Sequence, residues 1–304
     1  MHIIRVFWLR VLIIFVVIIA SHSTASAKIR VIATIKPIHA LVASVMSGVG
    51  EPQLLIRGAN SPHNFALRPS DARNLSKADV IFWVGADMEI FMIKPLKTLS
   101  SSATVIELSK TKGLKLLPSR HVHEEEDHGH KDIDPHFWLN PDNARVMVAE
   151  IIQKLSMKDP QNAKTYADNG AALINQLNTL TAELTLKLAV VKTKPFIVFH
   201  DAFQYFENRF NLKAIDAITL NPDRVPGAKK IKSIRSKIVS KNVVCVFAEP
   251  QFTSGIIETV IHKTSARLAT LDPLGVDIPE GPAAYTALMH SLADALVSCL
   301  SEQK

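Results

Sequence analysis

The sequence predicts an α/β protein of two similar lobes, each a parallel sheet flanked by helices, joined by one long helix. Three observations carry that expectation. Short runs rich in Val, Ile and Leu recur eight times, four in each half of the chain. They mostly lack apolar/polar alternation, as strands buried on both faces do. Each is followed by a helical pattern, the order that builds parallel sheets covered on both sides. Between the halves, one segment keeps helical spacing far longer than any other.

In chain order, residues 1–27 read as a secretory signal. Arg5 and Arg10 form a basic start, residues 11–20 an apolar run, and Ala25-Ser26-Ala27 a small-residue cleavage site. The apolar run is shorter than the roughly 20 residues that span a bilayer, so cleavage near Ala27 and export are expected. No Cys follows the run to accept a lipid, which fits a soluble protein of a Gram-negative periplasm. The remaining 277 residues are enough for two lobes, and their net charge falls from +7 to +5, because the signal carries two basic residues and no acidic ones. Lys and Arg are scattered without a basic cluster or interleaved aromatics, which argues against nucleic acid as a partner.

The first lobe is assigned to residues 28–158, with strand runs at 29–34, 53–57, 80–84 and 104–108. Within it, residues 119–134 stand apart: His121, His123, His128 and His130 are interspersed with acidic residues, and no apolar periodicity is available to pack them. Such a segment reads as a solvated loop with spare metal-binding capacity. Residues 159–192 form the linker, with Tyr166, Leu173, Leu177, Leu180, Leu184 and Leu188 at helical spacing and Gly170 as a weak point. The second lobe, 193–304, carries runs at 196–199, 213–218, 243–248 and 267–271. Cys245 and Cys299 lack C-x-x-C spacing, so neither a redox motif nor a thiolate metal site is indicated, and an oxidising compartment favours their pairing.

Three His outside the acidic loop occupy loop edges rather than helix faces. His63 lies in the turn-rich Gly58-Ala59-Asn60-Ser61-Pro62-His63-Asn64. His136 precedes a helix that Pro141 can open, and His200 ends a strand, followed by Asp201. Asp272 ends the last strand run. In parallel sheets the carboxyl ends of strands line the binding crevice, so two facing lobes would gather these groups into a metal site in the cleft. Neutral imidazoles with a carboxylate suit zinc, which commonly takes four ligands. His39, His262 and His290 are assigned to packing or to the surface. Arg68-Pro69-Ser70-Asp71 reads as a helix start capped by Ser70 or Asp71.

These motifs identify a family. Pro62-His63 with Leu67-Arg68-Pro69-Ser70-Asp71, Trp83-Val84-Gly85, His136-Phe137-Trp138-Leu139, Phe199-His200-Asp201-Ala202 and Ala248-Glu249-Pro250-Gln251-Phe252 together resemble the zinc-specific solute-binding proteins of bacterial ABC importers, the ZnuA type. The acidic His-rich loop ahead of the second His adds to the likeness. The resemblance covers essentially the whole chain. It implies two α/β lobes joined by a long helix, His63, His136 and His200 as Zn2+ ligands, and a C-terminal disulfide matching Cys245 and Cys299. It also implies delivery to an inner-membrane permease that works with an ATPase, and a monomer is expected. Some zinc members place a carboxylate just before the first His; Pro62 stands there instead, leaving Asp272 or water for the fourth position. A manganese or iron importer component is the nearer alternative, although that branch generally carries Glu where His200 stands. A zinc hydrolase is a further alternative, but no H-E-x-x-H supplies a general base, and Glu249 is the one carboxylate that could serve. A surface adhesin lacks its lipid anchor.

Overall fold

A computed structural model describes residues 28–120, 133–219, 222, 225–252 and 255–301. The signal segment 1–27 and the His-rich positions 121–132 lie outside the described residues. Each of the eight apolar runs supplies a strand. In the first half these are β1 (Val31–Ala33), β2 (Gln53–Leu54), β3 (Val80–Trp83) and β4 (Thr104–Glu107). In the second they are β5 (Phe196–His200), β6 (Asp216–Thr219), β7 (Cys245–Ala248) and β8 (Arg267–Thr270). Every pairing is parallel, and the two sheets share one order, β2-β1-β3-β4 and β6-β5-β7-β8. In that order the chain leaves β5 to one side for β6 and returns to the other for β7. The carboxyl ends of β5 and β7 therefore flank a topological switch point, where open α/β sheets bind ligands.

The helices are α1 (Lys36–Val45), α2 (Pro69–Lys77), α3 (Ile93–Thr98), α4 (Pro141–Lys158), α5 (Ala163–Leu188), α6 (Gln204–Phe210), α7 (Ala228–Ser240), α8 (Gly255–Ile261) and α9 (Ala284–Leu300). The long helix α5 has 26 residues, about 39 Å at 1.5 Å per residue. Tight 3-10 turns at Pro160–Asn162 and Ala189–Val191 extend it at both ends, so the expected linker is helical, in two geometries, from Pro160 to Val191. Gly170 does not break it. A β-carbon there would lie 2.1 Å from Cδ1 of Ile152 on α4, so glycine lets the two helices approach closely. At the start of α2, Asp71 caps as expected, its Oδ2 accepting from the Arg68 amide at 2.9 Å.

The strand pleat sorts the second sheet into two faces. Ile197, Phe199, Ile218 and Val246 pack under Ile234 and Ile238 of α7 and Ile257 and Val260 of α8. Phe196, Val198, Cys245 and Phe247 point the other way, into a core continuous with the first sheet and with α1, α4, α5 and α9. Since side chains alternate along a strand, His200 shares the face of Phe196 and Val198 and so points toward the other half of the chain. The halves are also tied by polar contacts. Buried Lys36 on α1 donates to the carbonyls of Gly275, Val276 and Ile278, the last two at 2.8 and 2.7 Å. Trp138 Nε1 donates to Pro273 O at 3.0 Å.

The sulfurs of Cys245 and Cys299 are bonded, fixing α9 to the amino end of β7. Among the described residues, no helix is long and apolar enough to cross a membrane.

Candidate metal centre

His63, His136 and His200 come from three separate stretches and converge. One ring nitrogen of each lies within 4.8 Å of the other two. The ring centroids form a triangle of 5.5, 5.4 and 4.8 Å. Among the described residues this is the one group of three or more His, Cys, Asp or Glu side chains placed to hold a metal ion. In all three rings Nε2 is buried and has no hydrogen-bond partner among the described residues. Three desolvated, unpaired nitrogens at one point are costly without a ligand, because buried polar groups are normally satisfied. Nitrogens bonded to a common tetrahedral zinc would stand about 3.3 Å apart, so small side-chain shifts bring them into place.

Each ring is held by its local structure. Two residues before His136, Asp134 accepts with one oxygen from both the backbone N–H, at 2.9 Å, and ring Nδ1, at 2.8 Å. Phe137–Leu139 then forms a 3-10 turn, and Asn140 caps α4 by accepting from the Asp142 amide at 2.8 Å. His200 closes β5. The register of β5 on β7, Phe196 opposite Cys245 and Val198 opposite Phe247, brings Glu249 beside it. Glu249 accepts from the His200 amide at 3.2 Å and meets Nδ1 at 3.1 Å. A carboxylate on Nδ1 keeps the proton there and leaves the Nε2 lone pair free for a metal. His63 follows β2 in a turn where Ser61 Oγ accepts from its amide at 3.3 Å.

Burial, reinforced by the nearby imidazole of His200, holds His136 well below the usual range. His63 is lowered likewise, by burial and then by His136 and His200. For His200 burial also favours the neutral ring, but Glu249, Asp201 and Asp134 together outweigh it and raise the pKa. Asp134, desolvated by burial, is pushed up to about 7.

These directions fix the sign of a pH effect. Zinc needs a neutral imidazole, so the proton that must leave near neutral pH is the one on His200, and metal at His136 favours ionised Asp134. Binding near pH 7 is expected to release protons, from His200 and from Asp134. Affinity should fall by about tenfold per proton for each pH unit as pH drops through the His200 range above 6.5. His63 and His136 add steepness only well below 6.5. Calorimetry in buffers of different ionisation enthalpy reads the proton count; heats independent of buffer would contradict it.

The cavity at this point is small, ≈ 10 Å³, about the room of one water-sized particle. Met88, Trp138, Phe252, Pro273 and Leu274 supply apolar walls, from both halves of the chain.

Asp272 is not gathered into the cluster. Its Oδ1 accepts from Gln251 Nε2 at 2.8 Å and from the Leu274 amide at 2.9 Å, and its Oδ2 accepts from the Val276 amide. It caps its own loop. His39 is buried on α1 against Pro52 O, and His290 faces Glu183 on the surface. His121, His123, His128 and His130 lie outside the described residues. The base of their segment is described. Pro118 pairs with Ile133, and Arg120 makes ion pairs with Asp201, beside His200, and with Glu207. Sequence reading missed Asp134 as a partner of His136, although an Asp two residues ahead is a common turn signal. Glu249 stands in the sequence only as a conceivable base; the β5–β7 register is what puts it beside His200.

The sequence matches the family described as ZnuA, zinc-uptake complex component A, periplasmic, over residues 31–299. The chain belongs to this family. A high-affinity zinc uptake system protein ZnuA of Brucella suis is 41% identical over 92% of this chain and 94% of its own length. A crystal structure of a ZnuA superposes with TM-score 0.80 at 24% identity, over 90% of this chain and all of that one. A manganese-bound binding protein from Pseudomonas aeruginosa, FpvC, superposes with TM-score 0.79 at 21% identity, over 90% of this chain and 99% of that one. The fold alone therefore does not choose the metal. Membership of the ZnuA family makes the chain a periplasmic solute-binding component of zinc uptake, working with an ABC permease and an ATPase, rather than an enzyme.

Proposed function

We propose that the chain captures one Zn2+ on Nε2 of His63, His136 and His200, with water in the fourth position, and carries it to the membrane permease. The observation that carries this reading is the convergence of three buried, unpartnered Nε2 atoms. Nitrogen donors suit zinc better than the harder manganese ion, which favours carboxylate and water. Water rather than Asp272 is supported by the three donors that already occupy the Asp272 oxygens.

The ion sits in the cleft between a first lobe, 28–158, and a second, 193–304, about the link 159–192. The shared core limits how far the lobes separate. The mature chain starts after Ala27 and acts as a monomer. His121, His123, His128 and His130 form a weaker secondary site whose flanking residues reach the cluster, Arg120 through its ion pair with Asp201 next to His200 and Asp134 through His136. The three-imidazole cluster is preset and loses little conformational freedom on binding, so it is the tighter of the two sites.

The test is calorimetric zinc titration of a variant lacking residues 121–132. One tight site should remain and the weaker events should vanish. Loss of the tight site would overturn the assignment.

A further inference from the structure

Four buried side-chain polar atoms around the metal cavity have no partner among the described residues: Nε2 of His63, His136 and His200, and Oε1 of Gln251. Three are ligand nitrogens. The fourth is a carbonyl. Its orientation is settled by its other end, since Nε2 of Gln251 donates to Asp272 at 2.8 Å, and only the amide nitrogen can face a carboxylate there. Asp272 in turn is fixed by the Leu274 and Val276 amides. A rigid chain of hydrogen bonds thus runs from the loop after β8 through Asp272 to Gln251, a residue that lines the cavity, and leaves its buried Oε1 unused among the described residues.

From this we infer that Gln251 receives the non-protein ligand of the bound ion, its Oε1 accepting a hydrogen bond from the zinc-bound water. The inference rests on the three-imidazole site proposed above. An amide oxygen is outside the usual zinc donor set of thiolate, imidazole and carboxylate, so accepting from water is the role that suits it. An acceptor at this point is selective. It stabilises a ligand that carries a proton, such as water, and opposes an anion, which offers only lone pairs. The site is thereby built for zinc as its hydrated ion rather than for zinc that keeps an anionic ligand. Asp272 becomes a positioning residue that acts through Gln251.

Cobalt supplies the test, because Co2+ in such sites has a visible spectrum that reports exchange of its open ligand. The full chain loaded with Co2+ is titrated with azide. Gln251→Met, similar in length but without an acceptor, is expected to bind azide about tenfold more tightly and to hold zinc more weakly by a similar factor. Gln251→Glu keeps an acceptor and adds a negative charge, so its azide binding should weaken relative to the unaltered chain. A merely structural role, holding Asp272 in place, would move both variants in the same direction. Unchanged azide binding in both, or a shift of the same sign in both, overturns the inference while leaving the three-imidazole site standing. Failure of the unaltered chain to bind Co2+ in the cavity would instead sink the site itself.

Discussion

His200→Ala is expected to weaken zinc binding on the order of a hundredfold, while His39→Ala and His290→Ala leave it unchanged. Structural zinc sites contribute roughly 10 to 16 kcal/mol, so one of four ligands accounts for about 3 kcal/mol of that. His39 and His290 are the controls because the first packs against Pro52 O and the second faces Glu183, neither within the cluster. Glu249→Gln separates positioning from ligation. It keeps a hydrogen-bond acceptor beside His200 Nδ1 but removes the charge that helps raise the imidazole pKa. Affinity should drop by about 10- to 100-fold, the usual cost of losing a ligand's outer partner. The pH at which binding fails should also move down, because a less basic His200 releases its proton more readily. Competition with a chromophoric chelator across pH reads both effects. Equal losses for His200→Ala and His39→Ala, or a Glu249→Gln profile superimposable on the unaltered chain, would contradict this assignment of roles.

Replacing both cysteines, Cys245→Ser with Cys299→Ser, is expected to cost about 4 kcal/mol of stability, since the bond closes a loop of 54 residues. For a chain of this size that lowers the melting temperature by roughly 10 °C. Zinc affinity should be nearly unaffected. Cys245 opens β7 and Glu249 follows its other end, about 13 Å away along the strand. Arg267 still holds the end of α9 through the carbonyls of Cys299 and Ser301, so the helix keeps part of its anchorage. Scanning calorimetry with and without reductant, alongside zinc titration, checks the separation. A large loss of zinc affinity with little change in melting would reverse it.

Much of the fold was legible because the signal is hydrophobic and local. Residues such as Val80–Trp83 and Phe196–His200 form apolar runs too short for helices, and parallel strands buried on both faces need nothing more to be recognised. The long helix is readable from its leucine spacing, whereas the role of Gly170 is not, because Ile152, which fills the space against it, lies on another helix. Seven of the eight strands are shorter than their apolar runs, β2 having only two residues, because flanking apolar side chains also pack into the core outside the ladder, while β5 runs one residue past its apolar stretch to His200. The three ligand His stood out by sitting at strand ends and turns. Their carboxylate partners did not. Glu249 meets His200 through the pairing of strands 49 residues apart, which no local pattern reveals. Asp272 looked like a ligand because it follows a strand, yet three nearer donors occupy its oxygens. A residue beside a binding edge can serve the edge rather than the ligand.

Anomalous diffraction at the zinc edge from crystals of the zinc-loaded protein tests the central claim most directly. At one zinc per chain, one peak is expected, about 2.0 to 2.1 Å from Nε2 of each of His63, His136 and His200, with a single water oxygen completing the shell. A tight zinc held elsewhere, or one bound by fewer than these three imidazoles, would contradict the account.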